Sequence, residues 1–423
     1  MGCTYSVYRK KKSSFPEVVV FVPSTRIPVQ SDLQRVLKGV IPRDLADKLA
    51  ALRNQIVLIA EDTGVPLPFQ LICGSAVTEL QRALNEYLSV LIGLTKKEYG
   101  LEGVIDFKWK NIEDGRQDSS ISNTWFEVLS SVHLMSMLTL SEADSLMIPK
   151  DPSGSGFRVV SSDSKREAID LLLKASGYLE FCVRDVLTRI PAETKKTFPH
   201  DLQEGVLEAI AIQTLGQGTE IQLGLAVESQ KATLSVKRRL ACEQLIYFSQ
   251  AYHCLSGCDI NQGLGRKHIR FIKWKFLESK AAAYYYHGLI LDKGSEPSSH
   301  IGAVSCFLAA EELLAESKKA CLSFCLAPPV TRAPPVWGAM KFLHQKIPEV
   351  ASRKSQMYGY LWEKEKGLQS LPDLPEFQLS LRPDDYELPE IDPAWDSKNW
   401  KSLGQPLKEH LRDSDETEEN PTD

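Results

Sequence analysis

Val77-Thr78-Glu79-Leu80-Gln81-Arg82-Ala83-Leu84-Asn85-Glu86-Tyr87-Leu88-Ser89-Val90-Leu91-Ile92-Gly93-Leu94 decides the fold class. Its apolar residues Val77, Leu80, Leu84, Tyr87, Leu91 and Leu94 recur at spacings of 3, 4, 3, 4 and 3. That period draws one apolar stripe along an α-helix. Phe271, Trp274, Leu277, Ala281, Tyr284, Gly288 and Leu291 repeat it in a second segment, with small residues where a neighbouring helix can come close. The same periodicity predicts helices near 43–63, 122–139, 163–190, 200–228, 230–256, 298–326 and 336–363. Breakers stand at the joints: Pro66 and Pro68, the Asp151 to Gly156 turn, Pro191 and Pro199, Gly263 and Gly265, Gly294 to Pro297, and Pro328-Pro329. Long helices with short joints predict a mainly α protein, an elongated, curved helical solenoid or bundle with a tetratricopeptide-like core, although no strict 34-residue repeat is present. Val18-Val19-Val20-Phe21-Val22, ended by Pro23, adds a small N-terminal strand element.

The chain has 423 residues, 43% hydrophobic and 25% charged, which is the composition of a globular protein with a sizeable core. Its formal net charge of -5 argues against nucleic acid as the main ligand. No apolar run reaches the roughly 18 residues that a membrane-spanning helix needs. Val18 to Val22 follows a basic stretch without a cleavage-site pattern, so a secretory leader is not expected. The nine cysteines are scattered through helical segments. Cys254/Cys258 and Cys321/Cys325 are spaced i,i+4, which suits small thiols packed on a helix face better than a zinc knuckle.

Residues for catalysis are not grouped in any familiar pattern. Gly154-Ser155-Gly156 sits in a loop rather than between strand and helix. Gly216-Gln217-Gly218 lies inside a helical stretch with no strand before it, so a phosphate cradle is not expected there. His133, His253 and His287 fall among apolar neighbours in helices and read as core or boundary residues. No enzyme activity, cofactor, metal or small-molecule substrate is expected.

The clearest functional signal lies at the start. Met1-Gly2-Cys3-Thr4-Tyr5-Ser6 fits the N-myristoylation pattern, with Gly2 as acceptor. One myristoyl chain holds a bilayer only marginally, so a second signal is needed. Cys3 is a palmitoylation candidate, and Arg9, Lys10, Lys11 and Lys12 form a polybasic run for anionic headgroups. Residues 1–15 therefore read as a lipidated anchor on the cytosolic face of an endosomal or plasma membrane. Two further basic clusters lie in the helical body: Lys237-Arg238-Arg239, and Arg266, Lys267, Arg270, Lys273 and Lys275. Arg266, Arg270 and Lys273 share a face at i, i+4, i+7 and form a candidate membrane-facing strip, the alternative being an ordinary solvated face. From Leu371 onward proline and acidic residues dominate, so 381–423 is expected to be a disordered tail after a helical domain over 16–380.

Three stretches together resemble a known family. Phe107-Lys108-Trp109-Lys110 is followed by the helix of Trp125-Phe126-Glu127-Val128-Leu129. Lys174 to Phe181 comes with Pro199-His200-Asp201-Leu202 and Leu215-Gly216-Gln217-Gly218-Thr219-Glu220. Lys280 to Gly288, with its Ala and Tyr run, precedes Ile301-Gly302-Ala303-Val304 and Ala309-Ala310. Their order is similar to that of the Bro domain of endosomal-sorting proteins of the Alix and Brox type, in the short, Brox-like architecture. The resemblance implies a non-catalytic adaptor that binds the C-terminal amphipathic helix of an ESCRT-III subunit of the Snf/charged multivesicular body class. It places Leu223, Leu234 and Leu240 in the groove for that helix. The alternative is a membrane-tethered helical scaffold for another cytosolic helix.

Overall fold

Nine long helices follow one another in the computed structural model, which describes residues 15–23, 25–62, 74–111, 118–151, 159–258, 263–365 and 370–396. They are α1 (Arg43–Asp62), α2 (Gly74–Leu91), α3 (Thr124–Leu146), α4 (Ser162–Phe181) and α5 (Glu204–Glu228). α6 (Leu234–Ser256), α7 (Gly263–Leu291), α8 (Pro297–Leu326) and α9 (Gly338–Met357) complete the series. Side chains close several N-termini: Asn123, Ser161 and Thr233 accept the backbone N–H of Phe126, Ser164 and Val236 at the starts of α3, α4 and α6. Each helix packs on the one before and the one after it, and α9 also returns to α5. Packing in chain order is the arrangement of a solenoid, and it bears out the mainly helical expectation.

The strand element is real but lies elsewhere. Val18–Val22 is not a strand; among the described residues the three strands are β1 (Arg26–Pro28), β2 (Phe107–Asn111) and β3 (Asp118–Ile121), paired antiparallel in the order β1-β2-β3. In β2 the alternation Phe107, Lys108, Trp109 buries the aromatics and exposes the lysine, the period of a half-buried strand. Val19 to Val22 is buried and, among the described residues, pairs with no strand. Helix side chains take its backbone groups instead. Val20 N–H donates to Asp144 Oδ1 at 2.9 Å, and the carbonyls of Phe21 and Val19 accept from Gln213 Nε2 at 2.9 Å and Gln217 Nε2 at 2.7 Å. Gln213 Oε1 in turn accepts from His268 Nε2 of α7 at 2.7 Å, so α5 and α7 share the grip on this segment.

The tail expectation is corrected as well. Residues 370–396 form an extended strap over the helices, so the ordered body continues past 380. Asp384 N–H donates to Leu173 O of α4, Tyr247 Oη of α6 to Leu381 O, and Asp392 N–H to Ser89 O of α2. Tyr386 meets the edges of Tyr178 and Phe181. Trp395 is 1% exposed and donates to Val90 O at 2.9 Å. Two glycines make room: a Cβ on Gly93 would strike the Trp395 indole, and one on Gly177 the Asp384 carbonyl. Sparse aromatic anchors and main-chain bonds hold a segment whose composition reads as unfolded. Residues 397–423 lie outside the described residues.

Candidate functional site

The motif residues meet in buried polar hubs. Glu127, on α3, accepts from Arg53 Nε at 2.9 Å, Tyr87 Oη at 2.9 Å and Trp109 Nε1 at 2.5 Å, which locks α1, α2, α3 and β2 together. Burial works against the Arg53 charge, but Glu127 outweighs it and its pKa is raised. Arg26 on β1 reaches Asp201 at 3.2 Å and Ser119 Oγ at 2.6 Å. In the third hub Lys275 Nζ donates to Glu220 Oε1 at 2.8 Å and to Glu278 Oε2 at 3.1 Å, and Trp274 Nε1 donates to Glu278 Oε1 at 2.7 Å. Burial alone would depress Lys275; the two carboxylates reverse the direction and keep it charged. These hubs organise the body, since buried charges persist only when paired.

Openings interrupt the helical surface of the described residues. A cavity of about 270 Å³ lies over the third hub, walled by Trp274, Trp337, Met340 and His344. A cleft of about 320 Å³ runs between α6 and α7, lined by Leu245, Ile246, Phe276 and Lys280, with Leu374 and Pro375 of the strap along its edge. Leu245, Ile246 and Phe276 are half-buried, so the cleft presents apolar side chains without being core.

The three leucines named for the groove meet in one apolar cluster rather than along an open groove: Leu223 belongs to it, and Leu234 and Leu240 pack against it. Leu223 is 2% exposed and belongs to the interior, because Ala339 and Met340 of α9 close the space beside α5. Leu234 and Leu240 are half-buried on α6. Six residues turn a helix by about 240° beyond full turns, so these two face different sides. Leu234 shares a stripe with Leu245, eleven residues on and rotated by only about 20°, and both pack against the same apolar cluster. Leu240 shares its side with Tyr247, which the strap covers. Sequence reasoning passed over Leu245, Ile246 and Phe276; of these only Leu245 carried a signal, the stripe through Leu234 on α6.

Among the basic residues, Arg266 and Lys273 are exposed on α7, whereas Arg270 is half-buried and donates to Ser323 O of α8 at 3.1 Å. Lys267 and Lys275 are 1% and 3% exposed and belong to the interior. The Lys237-Arg238-Arg239 cluster is partly engaged with the strap: Arg238 lies over the Phe377 ring, and Arg239 bonds Glu243 and Gln378 O. Gly2, Cys3, Arg9, Lys10, Lys11 and Lys12 lie outside the described residues.

No family model matches the chain. A curated relative, the BRO1 domain-containing protein BROX homolog of Caenorhabditis elegans, is 28% identical over 240 residues, 52% of this chain and 51% of that protein. The match thus spans about half the length of that relative. A Bro1 domain solved for the basis of endosomal targeting superposes with a TM-score of 0.54 at 14% identity, covering 93% of this chain and 96% of that one. ALIX in complex with a SIVmac239 late domain gives 0.62 at 14% identity, over 94% of this chain and 53% of that one. A complex of the ALIX BRO1 domain and CHMP4C gives 0.55 at 13% identity, over 91% and 98%. The chain has the Bro1-domain fold, as its motifs led one to expect.

Proposed function

We propose that this chain, with its Bro1-type fold, is a non-catalytic adaptor of endosomal sorting that takes an amphipathic helix from an ESCRT-III subunit. The observation that carries this reading is the open α6–α7 cleft, whose half-buried Leu245, Ile246 and Phe276 offer apolar side chains to a partner. An amphipathic helix fits such a cleft by anchors at i, i+3/i+4 and i+7. The similarity to the ALIX BRO1 and CHMP4C complex supports an ESCRT-III tail as the helix. Leu234 extends the apolar stripe; Leu223 is no longer part of it. Immobilised C-terminal helices of ESCRT-III subunits should capture the full chain, and capture by none of them would overturn the reading.

The adaptor works at a membrane. Gly2 carries myristate, Cys3 a second acyl chain, and Arg9 to Lys12 meet anionic headgroups on the cytosolic face of endosomal or plasma membranes. A single myristate binds reversibly, so both signals contribute to retention. Gly2→Ala should move the protein to the soluble fraction in cell fractionation, and Cys3→Ser should weaken retention while leaving myristate in place. A Gly2→Ala protein that still sediments fully with membranes would sink the anchoring proposal.

A further inference from the structure

The charges of this acidic chain are unevenly placed. Residues 263–277 contain five cations and no carboxylate, and residues 317–348 contain five more and again no carboxylate, in a chain of net charge -5. The fold brings the two stretches together. Arg270 of α7 donates to Ser323 O near the end of α8, and Lys267 Nζ donates to Ala327 O and Thr331 Oγ1 at 3.3 Å and to Pro329 O. The loop after α8 is therefore tied down on the basic end of α7.

The end of α8 and that loop carry the most exposed apolar side chains of the region. Leu322 is 55% exposed, Leu326 70%, Val330 71% and Val336 42%. Leu322 and Leu326 are spaced i,i+4 and share a face at the end of α8, and Lys319 lies on the same side three residues before Leu322. Exposed apolar groups clustered inside a cationic rim mark a binding surface rather than ordinary scatter. The backbone is suited to a low-dielectric setting. Pro328, Pro329, Pro334 and Pro335 have no N–H to desolvate. The buried ammonium of Lys267 already occupies the carbonyls of Ala327 and Pro329. Fewer bare polar groups lower the cost of entering a bilayer interface.

We propose that the end of α8 and the proline-rich loop, Leu322 to Val336, form a wedge that enters the interfacial layer of an anionic bilayer. Leu322, Leu326 and Val330 enter the acyl boundary, while Arg266, Lys273, Lys319 and Arg332 rest on the headgroups. Charge complementarity selects the occupant. The carboxylates beside this surface, Glu17, Glu220 and Glu278, are largely buried and paired with lysines. A cation-rimmed apolar surface is left, which suits anionic lipid. This extends the membrane role proposed above but uses a surface distinct from both the N-terminal lipids and the α6–α7 cleft.

The test uses the full chain without acylation and co-sedimentation with phosphatidylcholine vesicles, with or without phosphatidylserine. Wild type should bind the phosphatidylserine vesicles and barely the neutral ones. Leu326→Ser/Val330→Ser should weaken that binding about tenfold or more, as expected for losing two inserted aliphatic groups, and the deficit should persist as salt rises. Arg266→Glu/Lys273→Glu should also weaken it, with a deficit that fades with salt because exposed charges are screened. Unchanged melting and unchanged capture by a tail helix would show that both variants keep the fold and the adaptor site. Binding by Leu326→Ser/Val330→Ser equal to wild type would overturn insertion, as would no preference of wild type for anionic vesicles.

Discussion

Neutral imidazoles inside the body set part of its acid sensitivity. His133 is 0% exposed and His268 is 1% exposed; burial pushes their pKa values down from 6.5 to about 4 and about 3. A depressed imidazole pKa means that the unfolded chain binds protons which the folded chain refuses. Their stabilising contribution is therefore full above about pH 6.5 and lost as pH falls toward 4 and 3. With both groups counted, the slope between these limits approaches about 2.7 kcal/mol per pH unit. His268→Gln should flatten the fall in urea midpoint between pH 7 and 5, while keeping a donor for Gln213. Equal pH profiles for variant and wild type would contradict this assignment. At this scale the sequence marked Trp109, Glu127, Asp201 and Glu220 as pattern residues, and all four are in the hubs. Their partners could not be read, since Arg53 and Glu127 are 74 residues apart in the chain. Leu223 misled for a similar reason: α9 buries it more than a hundred residues later.

Helices declare themselves by period, and extended segments do not. The stripe of Val77 to Leu94 lies in α2 and the turn after it, with all six stripe residues buried. Val18 to Val22 has the composition of a strand, but it runs against Gln213 and Gln217 rather than a neighbouring strand. The strap was least legible, because proline and acidic residues mask a few fixed anchors. Those anchors support a test. Trp395 fills the space left by Gly93 and stacks on Tyr99 with ring centroids 5.6 Å apart. Trp395→Ala should cost the strap's docking about 3–5 kcal/mol, the range for truncating a buried aromatic. Limited proteolysis should then cut within 370–396 while the helical body survives. An unchanged digestion pattern would mean that Tyr386 and the main-chain bonds hold the strap without Trp395.

A solenoid packed in chain order leaves long interhelical seams on its surface, and one of them, between α6 and α7, is open and apolar. The proposed adaptor uses the molecule accordingly: lipid at the start of the chain, a wedge beyond α8, and a helix in the seam. The strap lies along the edge of that seam, so helix binding and strap docking share a border. The most direct test is a fluorescence titration of full-length protein with the C-terminal helix of an ESCRT-III subunit, using wild type and Ile246→Asp. Ile246 is half-buried, so a carboxylate there can reach water while spoiling the apolar contact. The account predicts saturable binding by wild type and at least about a tenfold loss in a variant that melts like wild type, since one apolar anchor contributes roughly 1.5–3 kcal/mol. Equal affinity for the folded variant and wild type would contradict the claim that the α6–α7 cleft is where the partner helix lies.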